Sequence, residues 1–218
     1  MKISLFLTLS LSLLVACANP VTKAVNKVKY SAWESVGYEK RDLFKREVSN
    51  VKDEQEDTQE AFKDALEQLK EVYSFDGGNL EREQKKLSAR YDDAASEAKD
   101  VHERIAKVDQ VAGDLFAEWE DEIDEIKTSD LRRRSSQQLS ATKTKYQILH
   151  RKLVRSEAKM EPVLARLHDQ VLFLKHNLNA KAIAGLKVEG ARIESDISRL
   201  MKDMEASNKE AEEFIKTL

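Results

Sequence analysis

Four long apolar stripes, each stepping alternately by four and by three residues, leave this chain few folds to choose from. The first reads Phe44, Val48, Val51, Gln55, Thr58, Phe62, Ala65, Leu69 and Val72. The second runs from Leu80 through Leu87, Ala94, Val101, Ile105, Val108, Leu115 and Trp119 to Ile123. The third runs from Leu139 through Tyr146, Leu153, Met160 and Leu167 to Leu174, and the fourth from Ile183 through Ile193, Ile197, Leu200, Met204 and Phe214 to Leu218. This is the heptad pattern of helices packed along their whole length against other helices. Charged residues make up 35% of the chain and aromatic residues 6%, with only six glycines and two prolines, which is too little strand and turn chemistry for a mixed fold. The expected class is therefore all-α: two long antiparallel helical hairpins, 31–128 and 131–218, forming either an elongated coiled-coil-like four-helix bundle or an end-to-end rod.

The punctuation between stripes supports the hairpins. A first helix starting near Ser31 and ending at Tyr73 would be about 65 Å long. Ser74-Phe75-Asp76-Gly77-Gly78-Asn79 stops it, since glycines adopt the left-handed conformations of a helix end and Asn79 can cap the next helix. A hairpin centred there places Phe62 opposite Tyr91, Val48 opposite Ile105, and Trp33 and Gly37 near Trp119 and Phe116. Lys127-Thr128-Ser129-Asp130 is the next break, with Ser129 or Asp130 as the N-cap. Pro162 falls inside the third stripe and predicts a kink. His176-Asn177-Leu178-Asn179-Ala180 is read as a second hairpin turn, pairing 160 with 197 and 153 with 204; the alternative is one continuous helix through Leu178, at the cost of a stutter in the heptads.

The N-terminus carries a different signal. Lys2 precedes an apolar run from Ile3 to Leu14, and Leu14-Val15-Ala16-Cys17 follows. That is the layout of a secretory signal peptide ending in a bacterial lipobox, and the run is short for a permanent membrane span. Residues 1–16 are thus expected to be removed, leaving Cys17 lipidated with diacylglycerol and a further acyl chain such as palmitate. Residues 17–30 form the lipidated N-terminus and tether, and 31–218 a single elongated helical domain. Cys17 is the only cysteine, so its acylation leaves no thiol for disulfides, zinc or nucleophilic catalysis. Ala18 stands where an aspartate favours retention in the inner membrane, which points to the outer membrane, facing the periplasm.

The chain offers no catalytic, cofactor or metal signature. His102, His150, His168 and His176 are scattered, and the eight-residue gap between His168 and His176 is too wide for shared ligation on one helix. Glu118 to Glu125 is an acidic helix face, and Asp76 to Asn79 lacks the spacing of a calcium loop. No cofactor, nucleic acid or small-molecule substrate is expected. Tyr30, Trp33, Tyr38, Phe116 and Trp119 form a candidate aromatic cluster where the tether enters, read first as a plug closing the bundle. Charge is strongly segregated. Glu39 to Asp130 holds 15 basic against 28 acidic residues, and Leu131 to Lys181 holds 12 against 3. Arg132, Arg133, Arg134, Lys143, Lys145, Arg151, Lys152 and Arg155 are accordingly candidates for contact with an anionic surface or with the acidic first hairpin.

Glu34 to Arg41, Phe75 to Leu80, Leu115 to Glu120, Pro162 to Leu164 and above all Asp169 to Ala180 resemble segments of a family of uncharacterised bacterial lipoproteins, a domain of unknown function of long α-helical type. The resemblance covers nearly the whole chain after Cys17 and implies no activity. The functional expectation is a non-enzymatic envelope scaffold or adaptor, membrane-bound through its lipid, with a protein partner or a second copy engaged by its helical faces. The alternative is a membrane-surface module, reminiscent in shape of BAR-type proteins, that uses the basic third helix.

Overall fold

Each stripe becomes a helix whose buried positions are those of the heptad pattern. The computed structural model describes residues 40–75, 77–177 and 179–218. These form five helical segments: α1, Lys40–Tyr73; α2, Leu80–Glu125; α3, Ser129–Glu157; α4, Met160–His176; and α5, Ala180–Thr217. Helices α3 and α4 are two parts of one bundle leg, so the architecture is four-legged and all-α, with no strand among the described residues. The expected start of the first helix at Ser31, Cys17, and Tyr30, Trp33 and Tyr38 of the aromatic cluster lie outside the described residues.

The choice between bundle and rod falls to the bundle. Helix α1 packs on α2 and α5, and the α3–α4 leg packs on the same two, so α1 and α3–α4 lie diagonally across a common core. Three contacts mark that diagonal at successive levels. Phe44 meets Tyr146 with ring centroids 5.4 Å apart, Gln55 donates to Ser156 at 3.3 Å, and Tyr73 donates to Gln170 at 2.9 Å. The core of Phe44, Phe62, Leu69, Leu87, Leu149, Leu153, Leu167, Ile193, Ile197, Leu200 and Phe214 is fully or almost fully buried. Burial of such side chains contributes about 1.5–3 kcal/mol each.

Both turns form where expected. Gly78 takes φ +118° after Gly77, and the Asn79 side chain accepts from the Arg82 backbone N–H at 3.0 Å, capping α2. Helix α4 ends at His176 and α5 starts at Ala180, so the continuous-helix alternative is not realised. The break at 127–130 differs in detail. Thr128 occupies the N-cap position without a side-chain cap bond, and Ser129 is already helical. Asp130 instead pairs with Arg133 at 2.5 Å and Arg134 at 2.8 Å. Arg132 secures the loop by donating from Nε and Nη2 to the Ile126 carbonyl at 2.9 and 2.6 Å. The kink expected at Pro162 is an interruption at Ala158-Lys159, one turn earlier. A proline at position 162 clashes with the carbonyl four residues back, and as the third residue of α4 it needs no hydrogen-bond acceptor for its nitrogen.

Near the glycine turn the expected register holds, with Arg90 meeting Asp64 at 3.5 Å and Gln68 donating to Glu83 at 3.2 Å, each within two positions of the expected pairing; further along the hairpins side-chain partners shift. The expected pairing put position 113 opposite Lys40, 99 opposite Glu54 and 198 opposite Lys159. The partners are Glu118 at 2.5 Å, Arg104 at 3.3 Å and Asp203. Each lies five positions further along the second helix. Phe44 likewise meets Phe116, at 5.9 Å between centroids, rather than position 109. Every Cα–Cβ bond leans toward its own helix N-terminus, so in an antiparallel pair the two leans add and side chains meet beyond the residues whose backbones are level.

Candidate functional site

Four places in the bundle concentrate polar or aromatic chemistry, and they follow one another from the Lys40 end to the two turns. At the Lys40 end, Phe44, Phe116, Tyr146 and Phe214 form an edge-to-face cluster with centroids 5.4–6.0 Å apart. Phe116 is the expected member; Phe44, Tyr146 and Phe214 were legible only as stripe residues. Trp119 stands half-buried beside the cluster, donating from Nε1 to Ser135 at 2.9 Å under the Arg41 guanidinium, 5.4 Å from the ring centroid. Asp109 accepts from Tyr146 and sits 2.9 Å from Nε2 of His150. Burial, together with the Asp109 carboxylate, pushes the Tyr146 phenol far above its ordinary range, so it stays a neutral donor.

One level further, the core turns polar. Gln55 is fully buried; its amide nitrogen donates to Ser156, and its oxygen accepts from Ser207 at 2.5 Å. Ser156 and Ser207 also reach the carbonyls of Leu153 and Met204, at 2.8 and 2.9 Å. The layer is satisfied and uncharged, which suits specification of register rather than catalysis. Asn208 Oδ1, at the next residue, is the one buried side-chain polar atom without a hydrogen-bond partner among the described residues. Outside this layer, Glu54, Glu97 and Asp100 bring carboxylate oxygens within 4.8 Å of one another across α1 and α2. Burial first, and then the shared hydrogen bond with Glu54, holds Glu97 above the usual carboxylate range. Arg104 donates to Glu54 at 3.3 Å and offsets part of the repulsion.

The eight basic candidates on α3 divide into two groups. Arg132 holds the Ile126 carbonyl, Arg133 and Arg134 hold Asp130, Lys143 pairs with Glu120 at 2.5 Å and Lys152 with Glu210 at 2.5 Å. Of these, Lys143 pairs with an acid of α2 and Arg132 reaches only a backbone carbonyl there, so the acidic first hairpin absorbs little of the charge of the basic helix. Lys145, Arg151 and Arg155 are exposed and make no hydrogen bond or ion pair among the described residues.

At the turn end, Tyr73 crosses the core to Gln170 and lies against Gly190, where an added Cβ would fall 2.0 Å from Tyr73 Cε2. His168 stacks on Tyr91 with centroids 5.1 Å apart, beside a groove of about 450 Å³ between α2 and α4. Leu172 and Phe173 on α4 and Val188 on α5 are 44%, 43% and 69% exposed at this level. Sequence periodicity missed these three as candidates because exposed apolar residues off the stripe carry no spacing signal.

Among the described residues no helix is long and apolar enough to cross a membrane. No curated protein and no solved structure matches this chain. Residues 29–218 match a family described as "Protein of unknown function (DUF2959)", a span that contains every helix of the bundle. The chain thus belongs to the DUF2959 family.

Proposed function

We propose that this protein is a non-enzymatic adaptor of the bacterial cell envelope, held in the membrane by an acylated Cys17 and facing the periplasm from the outer membrane. In this reading the bundle carries a protein-contacting end away from the point where the tether joins it. The supporting observation is the position of Leu172, Phe173 and Val188. They are exposed at the end that holds both hairpin turns, while Lys40 lies at the other end of a 34-residue helix. At 1.5 Å per residue the separation is about 51 Å. Single exposed apolar residues are ordinary; three at one level of one end mark a contact surface. The interior supports the same reading, since Gln55, Ser156 and Ser207 are spent on one another.

Two measurements test this reading. Replacing Cys17 with Ser is expected to block acylation and leave the precursor uncut, whereas the wild-type protein resists high-salt extraction, because two or more acyl chains give stable anchoring. Release of the wild type by salt alone contradicts the anchor. Affinity isolation from detergent-solubilised membranes is expected to recover one partner, or a second copy of the chain, in stoichiometric amount. A strictly monomeric protein with no stoichiometric partner contradicts the adaptor.

A further inference from the structure

We infer that the outward face of α3 is a docking surface for anionic phospholipid, carried by Lys145, Arg151 and Arg155 around the exposed Ile148. From Leu131 to Ser156 the chain contains no acidic residue at all, while it holds eight arginines and lysines. The structure removes five of these from consideration by giving them partners within the protein. Ile148, Arg151 and Arg155 follow one another at spacings of three and four as a stripe on one face, opposite the buried Tyr146, Leu149 and Leu153. Lys145, one heptad before Lys152, sits at the edge of that face toward α5. Three acids flanking this face are already engaged: Glu157 with His102 at 2.5 Å, Asp109 with Tyr146 and His150, Glu210 with Lys152.

Charge complementarity calls for an anionic occupant, and the apolar residues choose among anions. Ile148 and Val154 are 36% and 39% exposed among the free cations. A face that mixes basic and apolar side chains is suited to the boundary between lipid headgroups and acyl chains. Position favours the same occupant. The Phe44–Tyr146 and Gln55–Ser156 contacts put the stripe level with the first half of α1, toward the Lys40 end of the bundle. The 22 residues between Cys17 and Lys40 span at most about 75 Å when extended, which leaves ample reach for this face to meet the bilayer. This inference rests on the lipid-anchored reading above and adds to it the orientation of the bundle: the α3 side toward the membrane, the turn end toward the partner.

The test uses the full chain with Thr144→Cys, an exposed position on the stripe, labelled with an environment-sensitive fluorophore, and Lys63→Cys on α1 as the control. Each is reconstituted into vesicles of phosphatidylcholine alone or mixed with phosphatidylglycerol, at low and high salt. The expected result is a blue shift at position 144 on the anionic vesicles only, reversed by salt and absent at position 63. With about 1 kcal/mol per basic residue near such a surface, Lys145→Glu, Arg151→Glu and Arg155→Glu together should lower the docked-to-undocked ratio by at least about a hundredfold, with helicity unchanged. Identical emission on neutral and anionic vesicles, or an unaltered response in the triple variant, overturns the inference. The two readings fail separately. Two labels per chain instead of one show that Cys17 is not acylated, and a Cys17→Ser preparation mixed with preformed vesicles then reads the face independently of the anchor.

Discussion

Glu97 and Glu83 carry opposite electrostatic burdens. Glu97 is held above the usual value of 4.5 by burial and by the proton it shares with Glu54, so folding favours its protonated form. Its contribution is fully present below that value and is lost as pH rises through the folded pKa. Glu97→Gln is therefore expected to raise the melting temperature at pH 7, with the gain vanishing below pH 4.5. Glu83 is buried and held below 4.5, chiefly by Lys86 at 3.0 Å, with Arg82 and Gln68 also donating to it. Its stability contribution is present above 4.5 and is lost as pH falls through the folded pKa, so Glu83→Gln should lower the melting temperature at pH 7 and converge with the wild type in acid. Equal pH profiles for the two variants would contradict both assignments. Gly190 yields a sharper case. Glycine to alanine inside a helix ordinarily gains about 1 kcal/mol, but a Cβ here would fall 2.0 Å from the Tyr73 ring. Gly190→Ala should instead cost about 1–3 kcal/mol by thermal or denaturant unfolding, and Tyr73→Leu in the same chain should recover much of it. A stabilised single variant would mean that Tyr73 does not cross at Gly190.

Among the elements, the polar layer and the helix interruption sit together midway along the bundle. Gln55 is satisfied by two serines that each have a backbone carbonyl to fall back on. Gln55→Leu, which keeps most of the volume, should change stability by no more than about 1 kcal/mol, whereas Gln55→Ala should lose roughly 2–3 kcal/mol to the cavity it leaves. Equal losses in urea unfolding would show that the hydrogen bonds, rather than the volume, hold the layer. These elements were largely legible in sequence. The four stripes, the glycine turn, the asparagine turn and the proline break all register in local chemistry, because caps, φ preferences and heptad spacing act within a few residues. Register was legible near the glycine turn, where Arg90 meets Asp64 and Gln68 meets Glu83, and further away only to within a turn and a half. It depends on the direction in which side chains lean, which spacing does not encode, and this is why Lys40, Glu54 and Lys159 all meet partners five positions beyond the expected ones. The N-cap at 128 escaped for a related reason: three residues in the Thr128-Ser129-Asp130 run can cap, and the choice was made by Arg132 reaching the Ile126 carbonyl.

For the molecule as a whole, the bundle resolves what charge segregation left open. An acidic hairpin and a basic leg could have met face to face. Instead α3 lies between α2 and α5, meets acids on its flanks and keeps Lys145, Arg151 and Arg155 outward. The candidate surface was therefore half legible: the basic run is plain in sequence, but which three of its eight cations remain free is a property of the packing. The exposed Leu172, Phe173 and Val188 were not legible at all, because a residue is exposed only relative to what packs around it. These surfaces converge on one picture, an anchored bundle that lays its basic leg toward lipid and offers its turn end to a protein. The most direct test is photo-crosslinking in intact cells, with a photoreactive amino acid placed at Phe173, at Val188 or, as a flank control, at the exposed Lys99. The account predicts a discrete adduct from position 173 or 188, at the mass of one partner or of a second copy of the chain, weak or missing from position 99 and lost in the Cys17→Ser background. No adduct from either turn-end position, or the same adducts from all three, would contradict it.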